Sequence, residues 1–131
     1  MLFRSFVHSP FSREGCTLLV KLHQISAGET ERTCVDTRDV EWTDGPGGSL
    51  LSVLHRFGAE TVYLVKWLPG IEVPCHEHPG GEETFILQGE LMDEAGTYGP
   101  GTWIRNPVGS RHTPRAEVET IAWVKAGHLA D

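Results

Sequence analysis

The sequence is short of cysteine, of positive charge, of long apolar runs and of helical rhythm, and each shortage removes a class of protein. Its three cysteines, Cys16, Cys34 and Cys75, stand far apart with no Cys-x-x-Cys pair, which argues against a disulfide framework and fits a reducing, cytoplasmic compartment. No stretch approaches the ~20 apolar residues of a membrane helix. His8, Ser9 and Pro10 break the apolar start, so no signal-peptide core is expected. The net charge of −7 leaves no basic patch for nucleic acid or an anionic membrane, and small molecules or proteins are the expected partners. No window of a dozen residues keeps a 3.6-residue apolar period, so no helix is expected.

What the chain has is punctuation. Its 131 residues suffice for one domain with a real core. Fifteen Gly and eight Pro divide short runs of β-branched and aromatic residues, the pattern of an all-β domain. Strands are expected over residues 16–23, 48–57, 61–67, 72–76, 84–88, 102–106 and 119–125, with shorter pairing around 90–92. A jelly-roll barrel accommodates this set.

His76, His78, Glu82 and His112 read as four ligands for one divalent metal ion. Side chains alternate along a strand, so His76 and His78 face one side with Glu77 on the other. Pro79-Gly80-Gly81 then turns the chain, and Glu82 opens the run Glu-Thr-Phe-Ile-Leu, which is rich in strand formers. His112 closes a second strand and Pro/Gly turn, from Gly101 through Pro107 and Gly109. Neutral imidazoles with an ionised carboxylate suit one divalent ion, with zinc placed first and Fe(II), Mn or Ni as alternatives.

These residues resemble the cupins. The first cupin motif is Gly, five residues, His-x-His, three or four residues, Glu, six residues, Gly; Gly70, His76, His78, Glu82 and Gly89 match it. The second is Gly, five residues, Pro-x-Gly, two residues, His, three residues, Asn; Gly101, Pro107, Gly109 and His112 match, with Ala116 in place of the Asn. Together with Asp93-Glu94, Gly96-Thr-Tyr98, Asn106-Pro107 and Gly109-Ser-Arg-His-Thr-Pro114, they are most similar to the cupin domain of ChrR-type anti-sigma factors. The resemblance implies a cupin double-stranded β-helix that binds metal. In those proteins sigma-factor binding belongs to a separate helical domain with its own zinc-ligating His and Cys residues. Nothing in this sequence resembles His-x3-Cys-x2-Cys, so sigma binding is not implied.

The start of the chain echoes its end. His8-Ser-Pro-Phe through Val20-Lys21 aligns without gaps on His112-Thr-Pro-Arg through Val124-Lys125, so residues 1–25 are read either as a strand segment left from a preceding cupin repeat or as a chance likeness. The cupin metal-binding domain is then 26–131. A leading strand needs a partner, and a homodimer pairing through residues 8–23 is expected.

Other candidates receive plainer readings. His8, His23, His55 and His128 are not assigned as ligands. Glu83 competes with Glu82 for the carboxylate position, but the six-residue interval to Gly89 selects Glu82; Glu83 would face away or hold a His ring nitrogen or an Arg. Cys75 is expected to be a small buried residue facing away from the metal. Arg105 and Arg111 are read as surface residues, and Trp67, Phe85, Trp103 and Trp123 as core. The resemblance implies a metal-dependent sensor or binder of a small molecule. The alternative is a non-haem Fe(II) dioxygenase acting on a small diketone, thiol or phenolic ketone.

Overall fold

The computed structural model describes residues 8–130. The chain falls into two compact units, Met1–Arg32 and Thr33–Asp131. In the first, residues 8–32 contain no strand, so the strand expected over 16–23 is not formed. Leu18, Leu19, Val20 and Leu22 are exposed, and without a paired backbone a run of strand formers has no ladder to join. Residues 1–7 of the expected 1–25 segment lie outside the described residues.

The second unit holds twelve short strands: β1 Thr43–Asp44, β2 Leu50–Phe57, β3 Glu60–Trp67, β4 Ile71–Glu72, β5 His76–Glu77, β6 Glu82–Gln88, β7 Leu91–Met92, β8 Thr97–Tyr98, β9 Trp103–Asn106, β10 Arg111–His112, β11 Arg115–Ala116 and β12 Thr120–Ala126. One 3-10 turn, Pro46–Gly48, is the helical piece among the described residues. The strands form a six-stranded sheet in the order β1-β2-β3-β12-β6-β9, a four-stranded sheet β4-β11-β7-β8, and the pair β10-β5. The all-β cupin jelly roll read from the sequence is the fold.

Both larger sheets contribute to one core. Val65, Trp67, Ile86, Ala122 and Val124 come from the six-stranded sheet, and Leu91 and Ala116 from the four-stranded one, with Val73 beside them. Burial of these side chains drives the two layers together, each large aliphatic contributing roughly 1.5–3 kcal/mol. Of the aromatics expected in the core, Trp67 is there, Phe85 and Trp123 are partly buried, and Trp103 is exposed. Trp103 lies on β9, an edge strand, where its side is left uncovered.

The strand expected over 72–76 is broken in two. Pro74 has no N–H to place in a ladder, and Val73 N–H instead donates to Pro114 O at 2.9 Å. The chain leaves β4 at Glu72 and resumes as β5 at His76. Cys75, inside this break, is exposed rather than buried.

Two glycines let three backbones meet beside the turn after β5. A Cβ on Gly80 would sit 2.6 Å from Gly127 Cα, and one on Gly127 would overlap the Ala59 carbonyl in the β2–β3 hairpin. Gly127 also has φ +82°, a region that side-chain-bearing residues avoid. Hydrogen bonds from Gly127 N–H to Gly81 O (3.0 Å) and from Leu129 N–H to Gly80 O (2.9 Å) close the junction.

Candidate metal centre

β5 and β10 are antiparallel and place His76 directly opposite His112. His78 follows β5, and its backbone is held by the 107–110 turn: His78 N–H donates to Ser110 O at 2.9 Å, and Gly109 N–H to His78 O at 2.8 Å. Alternation along β5 and its exit brings the three rings edge to face. Their centroids are 4.7–5.0 Å apart, with interplanar angles of 69–87°. One nitrogen from each of His76, His78 and His112 lies within 4.8 Å of the others.

The opposite ring nitrogens explain how the rings are oriented. His76 Nδ1 lies 3.1 Å from Pro74 O and His112 Nδ1 lies 3.3 Å from Asp93 Oδ2. A carbonyl and a carboxylate only accept, so both Nδ1 atoms carry the proton, and in the neutral ring each Nε2 is left with a lone pair. Those two Nε2 atoms face each other at 3.2 Å. His78 Nδ1 meets the Ser110 hydroxyl at 3.1 Å, while its buried Nε2 has no hydrogen-bond partner among the described residues. Two nitrogens thus turn lone pairs towards each other in the neutral state, and when Ser110 accepts from His78 Nδ1 the third joins them, a donor set that fits a divalent cation.

Glu82 stands beside this cluster at the start of β6. Its Oε2 is 3.5 Å from His78 Nε2 and accepts from the Tyr63 hydroxyl at 3.4 Å. Its Oε1 accepts from Thr84 Oγ1 at 3.0 Å and Asn106 Nδ2 at 3.3 Å. The four residues singled out in the sequence therefore come together, with the three imidazoles forming the tighter set. Glu83, next along β6, faces elsewhere, with Oε2 3.2 Å from His128 Nε2 and Oε1 3.8 Å from Arg105 Nε. Arg111 pairs with Glu77 at 3.2 Å.

Burial lowers the His78 pKa below its ordinary value of 6.5; Glu82 opposes that shift, while His112 and His76 reinforce it. Burial, followed by the charge and hydrogen bond of Glu82, raises the Tyr63 hydroxyl, so Tyr63 remains a donor to the carboxylate. Burial alone would raise the Asp93 carboxyl. The Ala95 N–H, the Tyr98 hydroxyl, His112 and the Gly96 N–H together outweigh burial and hold it below its ordinary value. An ionised Asp93 is what keeps the His112 proton on Nδ1.

Asp93, Ser110, Tyr63 and Asn106 were not singled out as site residues in the sequence. Asp93 leaves a local trace, since Asp93-Glu-Ala-Gly96 is a side-chain-capped turn in which Asp93 Oδ1 accepts from Ala95 N–H at 2.8 Å. Tyr63 leaves a periodic one, as Thr61, Tyr63, Val65 and Trp67 occupy alternate positions of β3 and all line a cavity of about 610 Å³. The imidazole cluster and Glu82 lie in the wall of that cavity.

The sequence model for the ChrR cupin-like domain matches residues 30–130. The chain belongs to the ChrR cupin-like domain family. This ChrR-like cupin is 38% identical over 80 residues to the anti-sigma-E factor ChrR of Cereibacter sphaeroides, covering 60% of this chain and 37% of the relative. It also resembles a chain in the crystal structure of Rhodobacter sphaeroides SigE in complex with the anti-sigma ChrR, with TM-score 0.63 and 31% identity, covering 70% of this chain and 51% of the other. It thus spans well under two-thirds of either relative. An acetylacetone dioxygenase from Acinetobacter johnsonii shares the fold, with TM-score 0.63 and 17% identity over 85% of this chain and 80% of that one. Among the described residues no helix is long and apolar enough to cross a membrane.

Proposed function

We propose that this ChrR-like cupin holds one divalent metal ion on His76, His78, His112 and Glu82, and uses it to sense or bind a small molecule in the adjoining cavity. The observation that carries this reading is the 3.2 Å approach of His76 Nε2 to His112 Nε2 while both Nδ1 atoms are engaged elsewhere. Two lone pairs at that distance repel unless a cation lies between them. Three imidazoles and one carboxylate are a zinc set, and four protein ligands favour a structural or sensory ion over a catalytic one. Three free cysteines with no Cys-x-x-Cys pair fit a reducing compartment and support a cytoplasmic location.

A second reading, a non-haem Fe(II) dioxygenase acting on a small diketone, thiol or phenolic ketone, draws support from the cavity of about 610 Å³ beside the cluster. That volume lies within the usual range for small-molecule sites. Bound iron would supply the redox chemistry with O₂; His76, His78, His112 and Glu82 would hold it, and the apolar walls would exclude water.

One experiment separates the two. Elemental analysis of protein purified without added metal is combined with O₂-uptake assays on a panel of diketones, thiols and phenolic ketones. Zinc at one per chain without turnover supports the sensor or binder; iron with turnover replaces it with the dioxygenase. Protein that takes up no divalent metal even on titration would defeat both.

A further inference from the structure

The three imidazoles of the candidate centre do not hold their protons in the same way. Pro74 O beside His76 Nδ1 and the Asp93 carboxylate beside His112 Nδ1 can only accept, so each of these rings has one neutral form that keeps its contact. His78 differs at both of its nitrogens. Its Nδ1 lies 3.1 Å from the hydroxyl oxygen of Ser110, a group that can either donate or accept. Its Nε2 lies 3.5 Å from Glu82 Oε2 and has no hydrogen bond among the described residues.

His78 therefore has two neutral forms that need no movement of its heavy atoms. In one, the proton sits on Nε2, towards the Glu82 carboxylate, and the Ser110 hydroxyl donates to Nδ1. In the other, Nδ1–H donates to Ser110 Oγ and Nε2 turns a lone pair towards Glu82. Electrostatics decides between them. With no cation in the cluster, the second form sets a lone pair against a carboxylate at 3.5 Å. His78 is 6% exposed and Glu82 7%, so little water screens that repulsion and the first form is favoured. A cation reverses the preference, because a ring nitrogen must be free of its proton to ligate.

The backbone around Ser110 is already fixed. Ser110 O accepts from His78 N–H at 2.9 Å, Ser110 N–H donates to Pro107 O at 3.0 Å, and Gly109 N–H donates to His78 O at 2.8 Å. Going from one form to the other requires only that the Ser110 hydroxyl turn.

We propose that Ser110 is a positioning residue for His78: its hydroxyl donates to Nδ1 in the metal-free chain and turns to accept from Nδ1 when a divalent ion is held, which frees Nε2 for the ion. One proton leaves Nε2 to water and one is taken up at Nδ1, so the ring is neutral in both states. His76 and His112, whose Nδ1 partners only accept, keep their protons where they are. This rests on the metal reading above and adds which of the three imidazoles must rearrange and which residue lets it do so.

Nitrogen NMR of the imidazole rings tests this on the full chain, first stripped with a chelator and then loaded with zinc, at about pH 8, where unprotonated imidazole dominates. His78 should carry its proton on Nε2 in the stripped chain and on Nδ1 in the loaded one, while His76 and His112 carry theirs on Nδ1 in both. Ser110→Ala should weaken zinc binding about 10-fold or more, and Ser110→Thr, which keeps the hydroxyl, should restore most of it. The ring spectra come from the unmodified chain, so they decide the matter even where the alanine variant does not fold. A His78 proton on the same nitrogen in both states, or a Ser110→Ala chain that binds zinc as tightly as the unmodified one, would overturn the proposal. Zinc uptake with an unmoved His78 proton defeats this inference alone, whereas a chain that takes up no zinc defeats the metal reading and this inference with it.

Discussion

His76 and His112 are cross-strand partners in the β5–β10 pair, and their Nε2 atoms approach to 3.2 Å while each Nδ1 is tied back to an acceptor, Pro74 O for one and Asp93 for the other. Register brings the rings opposite each other, and the two acceptors set which nitrogen each turns inward. The pairing makes the site a property of two strands rather than of one loop.

Replacing His76, His78 or His112 with Ala should strongly reduce metal per chain by elemental analysis, while His23→Ala and His128→Ala should retain it. Asp93→Asn should lower metal affinity about 10- to 100-fold, because the amide cannot hold the His112 ring as the carboxylate does. A His112→Ala protein with full metal content would remove the four-ligand arrangement.

Glu82→Gln should damage metal binding more than Glu83→Gln, since it removes an anion beside His78. Glu83→Gln, which disturbs the contacts to His128 and Arg105, should instead cost about 1–3 kcal/mol of folding stability. Metal titration and denaturant unfolding of both variants check the pair, and equal or reversed metal losses would assign the carboxylate role to the wrong residue.

Metal affinity and stability should both fall as pH drops below about 6.5. Burial holds the folded His78 pKa below that ordinary value, so the unfolded chain takes up the proton first. The stability linked to this group is complete above the unfolded pKa and is lost as pH falls through the folded one. Metal requires the neutral imidazole and follows the same direction. Equilibrium dialysis and thermal unfolding from about pH 8 to about pH 5 measure it, and an affinity that is flat or rises towards acid would contradict it.

Deleting residues 1–23 should lower both dimer population and stability while leaving metal content unchanged. Leu18, Val20 and Leu22 are exposed strand formers without a ladder, and β2 pairs with β1 only at Leu50 and Leu51, leaving the rest of that edge open among the described residues. Exposed edges of this kind recruit strands from other chains. Light scattering that finds a monomer for the full chain, or an unchanged dimer for the deletion, would count against a dimer built this way.

The sequence made the site more legible than its surroundings. That His76, His78 and His112 cluster, with Glu82 beside them, could be read because turn glycines and prolines sit at fixed intervals around them, and those intervals determine where a strand ends. Asp93 could not, since its contact with His112 depends on how the two strand systems stack, which local spacing does not encode. Residues 16–23 carry β propensity, but propensity without a paired backbone makes no strand, so that expectation failed where the tertiary partner was absent. Pro74 was visible as a ladder breaker, yet the alternation across it concealed that β4 and β5 are separate pieces. Cys75 followed the same error, because in the break it turns to solvent.

The packing of Gly80 on Gly127, and of Gly127 on Ala59, makes three separate stretches behave like meshed gears. Moving the turn between His78 and Glu82 away from the 127–129 segment would break the hydrogen bonds that Gly80 O and Gly81 O accept from Leu129 and Gly127. The turn that leads from His78 to Glu82 is thereby anchored from behind, by backbone groups rather than by side chains.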